Sequence, residues 1–263
     1  MDYKKELEEL IGMVVKEGAS DLHLTEGRPP VIRVAGFLIP LIKKPLLTKE
    51  NTLGFISELL TPANKERFLM TREIDFSYAY AEKARFRGNG YFQQGGISIA
   101  LRLIPQKIKT LTELSLPQVL ETFTRKQQGF FLVVGPVGQG KTTTLAAMIE
   151  MINSTRAEHI LTIEDPIEFQ FDPKKSVIDQ REVRIDTQDF HTALISMFRQ
   201  DIDVVMIGEM RGIDTIATAV TAAETGHLVF STLHTNNASQ TINRIIDSFP
   251  AGQQDQIRVQ LAG

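Results

Sequence analysis

Residues 130–142 read FFLVVGPVGQGKT, and the eight positions from Gly135 to Thr142 satisfy G-x-x-x-x-G-K-[ST] without a gap. An apolar run enters this stretch and TTTLAAMIEMI leaves it, with Leu145, Met148, Ile149 and Ile152 at helical spacing. The stretch therefore reads as strand, glycine loop and helix, the context in which this motif binds phosphate. Its chemistry is equally narrow. Glycines let the backbone curl until several N–H groups converge on phosphate oxygens, and the helix N-terminus adds favourable partial charge. Lys141 can reach β- and γ-phosphates, and the Thr142 hydroxyl can ligate Mg²⁺. Gly135, Pro136, Val137, Gly138, Gln139, Gly140, Lys141, Thr142 and Thr143 are therefore the expected nucleotide-binding residues.

The rest of the chain has two textures. From residue 20 to about 105 short strands alternate with turns. DLHL and VIRV flank EGRPP, FLIPL follows Ala35 and Gly36, and Ile74, Phe76, Tyr78 and Tyr80 alternate along IDFSYAY. ARFRGNGYF and ISIALRLI flank QQGG and read as a hairpin. Before them, Leu7, Leu10, Ile11, Val14 and Val15 predict an amphipathic helix, and Thr61 before Pro62 predicts a helix start. This part reads as a small α+β domain. Beyond PQKIKTLTELSLPQ, a plausible linker, FFLVV, HILTIED, VVMIGE and HLVFSTL are continuous apolar runs, as strands buried on both faces require.

Carboxylates stand at the carboxyl ends of two such runs, where α/β sites form. HILTIEDPIEF delivers Glu164 and Asp165, and DVVMIGEM delivers Glu209. One can organise Mg²⁺ and its water while the other orients or deprotonates an attacking water. His227 and His234 bracket the last run. On an extended strand they would stand roughly 23 Å apart and, at an odd separation, face opposite sides, so one metal ion cannot hold both.

Composition narrows the classes. The formal net charge of −3 gives no support to a general nucleic-acid surface. Cysteine is absent, which excludes disulfides and thiolate zinc sites from this sequence. No apolar run approaches the roughly 20 residues that span a bilayer, and the charged N-terminus does not read as a signal peptide. The reading is cytoplasmic, with no nucleic acid and no direct membrane insertion.

Taken in order, ASDLHL, PPVIRV, ARFRGNGYF, GPVGQGKTTT, LTIEDPIEF, GEMR, TAAETGHLVFSTLHTNNA and RIIDSFP resemble the secretion ATPase superfamily, and within it the PilT-type retraction motors of type IV pili. The resemblance implies an α/β fold: a RecA-like P-loop NTPase core (121–263) joined by a linker (108–120) to a smaller N-terminal α+β PAS-like domain (1–107). It implies a homohexamer with ATP and Mg²⁺ between the N-terminal and core domains, docked on an inner-membrane pilus platform protein at the cytoplasmic face. Glu164 then matches the water-activating glutamate and Glu209 the Walker-B glutamate, which holds Mg²⁺ through water. His227 matches a nucleotide contact and His234 a catalytic coupling residue. Arg85, Arg87 and Arg102 match N-terminal arginines that reach the nucleotide, and strand alternation puts Arg85 and Arg87 on one face. Departures are Val137 and Gln139 where hydroxyl residues are usual, Ile202 in place of proline and Gly212 in place of aspartate. Family members continue past the final QLAG into a further helical region with an AIRNLIRE-like motif, so the resemblance implies a truncated chain. Pilus-extension or type II secretion ATPases, which carry a tetracysteine zinc element, are the neighbouring reading. A weakly hydrolysing accessory paralogue and a nucleic-acid motor are further ones.

Overall fold

The computed structural model describes residues 2–80, 84–104, 107–136, 138–210 and 212–262. The chain divides into two compact units, residues 1–106 and 107–263.

In the first unit α1 (Tyr3–Lys16) starts at Asp2, whose carboxylate accepts the Lys5 N–H. Leu7, Leu10, Ile11 and Val14 are fully buried, but Val15 is 42% exposed. The apolar stripe is thus one residue narrower than the sequence suggested. Six strands form one antiparallel sheet: β1 (Asp21–Thr25), β2 (Val31–Val34), β3 (Phe37–Pro40), β4 (Glu73–Tyr80), β5 (Ala84–Gln93) and β6 (Gly96–Ile104), in the order β3-β2-β1-β6-β5-β4. Between β3 and β4 lie α2 (Lys49–Leu59), closed by a Thr48–Asn51 capping box, and α3 (Pro62–Thr71), capped by Thr61 with Pro62 in its first turn. The β5–β6 turn holds Gln94 and Gly95 at φ of 48° and 82°, the twist a two-residue hairpin needs.

Alternation sorts the two faces of this sheet. Leu22, Leu24, Phe86, Ile99 and Leu101 enter a core with the helices. Arg85, Arg87 and Asn89 of β5 are half-buried and turn the other way.

The second unit carries a five-stranded, wholly parallel sheet in the order β7-β11-β10-β8-β9. Its strands are β7 (Gly129–Val134), β8 (His159–Glu164), β9 (Val177–Glu182), β10 (Val204–Ile207) and β11 (Leu228–Leu233). Helices cover both faces. Leu161, Ile163, Val205, Ile207, Val229 and Leu233 pack with α6 (Phe190–Met197), α7 (Ile213–Glu224), α8 (Ala238–Asp247) and α9 (Ala251–Ala262). The intervening Ile160, Val204, Met206, Leu228 and Phe230 pack with α5 (Lys141–Thr155) on the opposite side, the side where Phe123 of α4 (Leu120–Thr124) also lies. Each central strand therefore needs apolar residues at consecutive positions, which is why the runs do not alternate.

The stretch 108–120, expected as a linker, is folded onto this unit. Leu111 is 2% exposed, and Ile108, Leu114, Leu116 and Leu120 pack beside it. The Glu113 carboxylate closes the turn by accepting the Thr110 N–H at 2.8 Å.

In the first unit Gly88 sits opposite Phe76, and a Cβ there would lie 2.3 Å from the Phe76 ring. Phe76 is 3% exposed, inside the core of this unit. Gly88→Ala should cost about 1–3 kcal/mol by overpacking. Urea unfolding of the variant checks this, and an unchanged midpoint would show that the ring swings aside.

Candidate functional site

The site forms where four parallel strands end side by side. After β7 the chain enters the glycine loop with Gly135, Gly138 and Gly140 at φ of 152°, 81° and 78°. Side chains with a Cβ rarely adopt these values, so glycine is needed at all three. Gly140 is also the N-cap of α5, with no side-chain cap, so the first N–H groups of this 15-residue helix are left for a ligand. Val137 lies outside the described residues.

Lys141 opens α5 and is only 8% exposed. Its ammonium donates to the carbonyls of Gly135 and Pro136, both at 2.9 Å, so the side chain curls back over its own loop. Its Nζ also lies 3.4 Å from Nδ1 of His234, the residue that follows β11. An ammonium can only donate, which makes Nδ1 the acceptor and puts the ring proton on Nε2. That nitrogen stands 3.5 Å from Glu209 Oε2. Lysine, imidazole and carboxylate thus form one polar line across the ends of β7, β11 and β10.

Glu209 is held by the backbone that carries it. Ile207 ends β10, the Gly208 N–H donates to Ile163 O at 2.8 Å, and the Thr232 hydroxyl donates to Gly208 O at 2.7 Å. A Cβ on Gly208 would lie 3.4 Å from Ile163 O and 3.5 Å from the Glu164 Cα. Both are ordinary contact distances, so the ends of β10 and β8 lie directly against each other here.

Glu164 ends β8 and is 3% exposed. The Thr162 hydroxyl and the Gln180 amide donate to Oε1 at 2.7 and 3.4 Å, and the Glu168 N–H donates to Oε2 at 3.2 Å. Burial outweighs these donors and pushes its carboxyl up to about 7. A carboxyl that titrates near neutrality is a competent proton acceptor at the pH where the chain would work. Behind it, the Glu182 carboxylate accepts the Ile167 N–H at 3.1 Å and Arg184 pairs with Asp165 at 3.2 Å, so the loop after β8 is tied down.

The structure thus brings Gly135, Pro136, Gly138, Gln139, Gly140, Lys141, Thr142, Thr143, Glu209, Glu164 and His234 to one end of the sheet. His227 is not among them. It precedes β11, at the far end of the strand from the glycine loop, where Nδ1 lies 3.0 Å from Ala222 O and the ring meets Phe198 edge-on at 5.5 Å. Within one chain it is a strand-start contact and not a phosphate ligand, because β11 is extended and separates the two histidines by its whole length. Arg85, Arg87 and Arg102 belong to the first unit. Arg87 and Arg102 are direct cross-strand partners, and Arg102 Nε donates to Asp21 Oδ1 at 2.9 Å.

Thr162, Gln180, Gly208 and Thr232 escaped the sequence reading. Thr162 left a signal, as the one hydroxyl inside HILTIE and two positions before Glu164, hence on its face. For Mg²⁺ the site offers the Thr142 hydroxyl and the Glu209 carboxylate, hard oxygen donors of the type the ion prefers, and such an ion takes phosphate and water for most of its shell. Among the described residues no three His, Cys, Asp or Glu side chains form a separate metal-binding group.

Glu164 gives the site a pH signature. Its folded carboxyl holds a proton up to about 7, whereas the ordinary value is 4.5. The favourable contribution is fully present below 4.5 and lost as pH rises through 7, a difference on the order of 3 kcal/mol. Glu164→Gln should therefore be more stable than the parent in urea at pH 8 and nearly equal to it at pH 5. An equal gain at both pH values would remove the buried charge as its cause. Thr162→Val, which deletes a donor to the carboxylate, should move the acid limb of the rate profile to higher pH.

A profile of the type II/IV secretion system protein family matches residues 3–259. The type IV pilus retraction ATPase PilT of Pseudomonas aeruginosa is 44% identical over 257 residues, covering 98% of this chain and 74% of its own. The crystal structure of the pilus retraction motor PilT with bound ADP superposes with a TM-score of 0.93 at 44% identity, covering 97% of this chain and 75% of the other. The ATPase DotB of Legionella pneumophila superposes with a TM-score of 0.86 at 27% identity, over 97% of this chain and 72% of that one. No described helix is long and apolar enough to cross a membrane. With the phosphate loop and both carboxylates in place at the strand ends, the chain belongs to the type II/IV secretion system protein family.

Proposed function

We propose that this chain is the subunit of an ATP-hydrolysing motor that retracts type IV pili. The observation that carries this reading is the line Lys141–His234–Glu209 beside a buried Glu164 that titrates near neutrality. The Lys141 ammonium exchanges its loop carbonyls for β- and γ-phosphate oxygens, and the N–H groups of the loop and of α5 share the remaining charge. Glu164 orients a water and accepts its proton as the oxygen bonds to the γ-phosphorus. The bond from that phosphorus to the bridging oxygen breaks, leaving ADP and inorganic phosphate. Magnesium, held by Thr142 and through water by Glu209, neutralises phosphate charge when bound. His234 couples the lysine to Glu209, so the two ends of the line respond together to what occupies the loop.

The subunits act as a homohexamer docked on a pilus platform protein at the cytoplasmic face of the inner membrane. Arg85 and Arg87, turned to the face of the first unit's sheet away from its core, supply positive charge to a nucleotide in the assembled ring. An arginine in that role is worth about 10³ to 10⁵ in turnover. Mass measurement in solution with and without ATP tests the hexamer.

Lys141→Ala should weaken ATP binding at least about tenfold, the value of a lost charge-assisted bond, and abolish turnover. Glu164→Gln should bind Mg·ATP normally and turn over about 10²-fold more slowly. Arg85→Ala and Arg87→Ala should lower turnover more than affinity. Steady-state ATPase rates beside binding of a fluorescent ATP analogue measure all four. A normal rate in Lys141→Ala would sink the phosphate-loop assignment, and a normal rate in Glu164→Gln would move the base elsewhere.

A further inference from the structure

The amide of Gln180 meets two backbone groups with opposite demands. Gln180 lies on the edge strand β9, in register with Thr162 of β8, and Glu164 stands two residues further along the same face. That face is the α5 side of the sheet, where Ile160 and Ile178 pack. Oε1 of Gln180 accepts the Phe171 N–H at 2.9 Å, and Nε2 donates to Phe169 O at 2.8 Å. Turned end for end, the amide would set oxygen against a carbonyl and an NH2 against an N–H, so its orientation is fixed. Phe169 and Phe171 are 8% and 4% exposed and belong to the core shared with α5, so the groups that fix the amide are themselves anchored.

The N–H left over faces the Glu164 carboxylate. Nε2 lies 3.4 Å from Oε1 of Glu164, a long contact but one aimed by two shorter ones. The same oxygen accepts from the Thr162 hydroxyl at 2.7 Å, and Oε2 accepts the Glu168 N–H at 3.2 Å. A carboxylate offers about four acceptor positions, two on each oxygen. Among the described residues, donors fill both positions on Oε1 and leave one open on Oε2. The buried carboxylate thus has a preferred oxygen, and Gln180 completes the preference.

We propose that Gln180 is a positioning residue for hydrolysis: its locked amide closes the second acceptor position on Glu164 Oε1 and turns Oε2 to the attacking water. The inference rests on the reading that Glu164 is the base. The proton leaves the water for Oε2 as the water oxygen bonds to the γ-phosphorus and the bridging oxygen departs with ADP. Residues 169–171 take part through the amide they hold, since a shift of that segment would withdraw a donor from the carboxylate.

The test uses the full chain, with kcat and KM measured at pH 6 and pH 9 and urea stability at pH 5 and pH 8. The variants are Gln180→Leu, Gln180→Glu, Glu164→Gln and the double variant Glu164→Gln/Gln180→Leu. Burial already pushes the Glu164 carboxyl up to about 7, and losing a donor to its ionised form raises it further. Gln180→Leu should lower kcat at least about threefold at pH 9, where the carboxyl is ionised but no longer directed. At pH 6 the loss should grow to about tenfold, as the acid limb moves up by about half a unit, with KM nearly constant. Gln180→Glu keeps the acceptor for Phe171 and the shape of the side chain, so it stands even if Gln180→Leu fails to fold. It should move the limb further, because a second carboxylate replaces the donor. Stability of Gln180→Leu should fall more steeply than the parent's from pH 5 to pH 8, and the extra fall should vanish in the double variant.

A parental rate at pH 9 would show that the amide does not direct the carboxylate. An equal loss at both pH values, or an extra fall in stability that persists without Glu164, makes Gln180 a structural residue and overturns the proposal. A steeper fall in stability beside parental turnover in Glu164→Gln instead overturns the underlying reading that Glu164 is the base.

Discussion

Everything chemical in the second unit depends on parallel strands that stop at nearly the same level. Val134 pairs with Leu233, Ile207 with Ser231, and Ile207 again with Ile163, so the chain leaves β7, β11, β10 and β8 within a residue or two of a common line. Side chains just past those ends need no long reach to meet. That is why a lysine, a histidine and two glutamates, scattered over almost a hundred residues of sequence, can act on one phosphate chain.

How much of this could be read beforehand depended on whether the signal was local. The glycine loop was legible because positive φ and phosphate contact both demand glycine at fixed spacing. β7, β8, β10 and β11 were legible because burial on two faces demands unbroken apolar runs. β9 was not, since VIDQRE is an edge strand with a half-exposed pattern and no such run. The packing of 108–120 escaped because proline and threonine read as loop, although Leu111, Leu114 and Leu116 recur at the spacing of a buried turn. His227 and His234 stand at opposite ends of β11, as their separation in sequence required of an extended strand. The Asp21–Arg102 contact needed the register of β1 against β6, which spacing cannot supply across that separation in sequence.

Glu164 shows the familiar conflict between folding and chemistry in a compact form. A carboxyl at the end of a central strand is costly to ionise, and the Thr162, Gln180 and Glu168 donors recover only part of that cost. A more generous set of donors would stabilise the fold and leave a weaker base. The arginine face of the first unit carries the same tension with the sign reversed. There Asp21, itself buried, lies between Arg33 and Arg102 and holds the latter by Nε.

The folded-back lysine has a consequence for turnover. Lys141 already has partners in the carbonyls of Gly135 and Pro136 and in the ring of His234, so an incoming triphosphate competes with the protein for its own ammonium. Entry is thereby made less favourable, but departure is helped by the same amount, because the lysine has a ready resting place when the product leaves. A machine that must discard ADP at every stroke gains from a grip that is not too firm. The loop that seizes the fuel also carries the means of letting go of what remains.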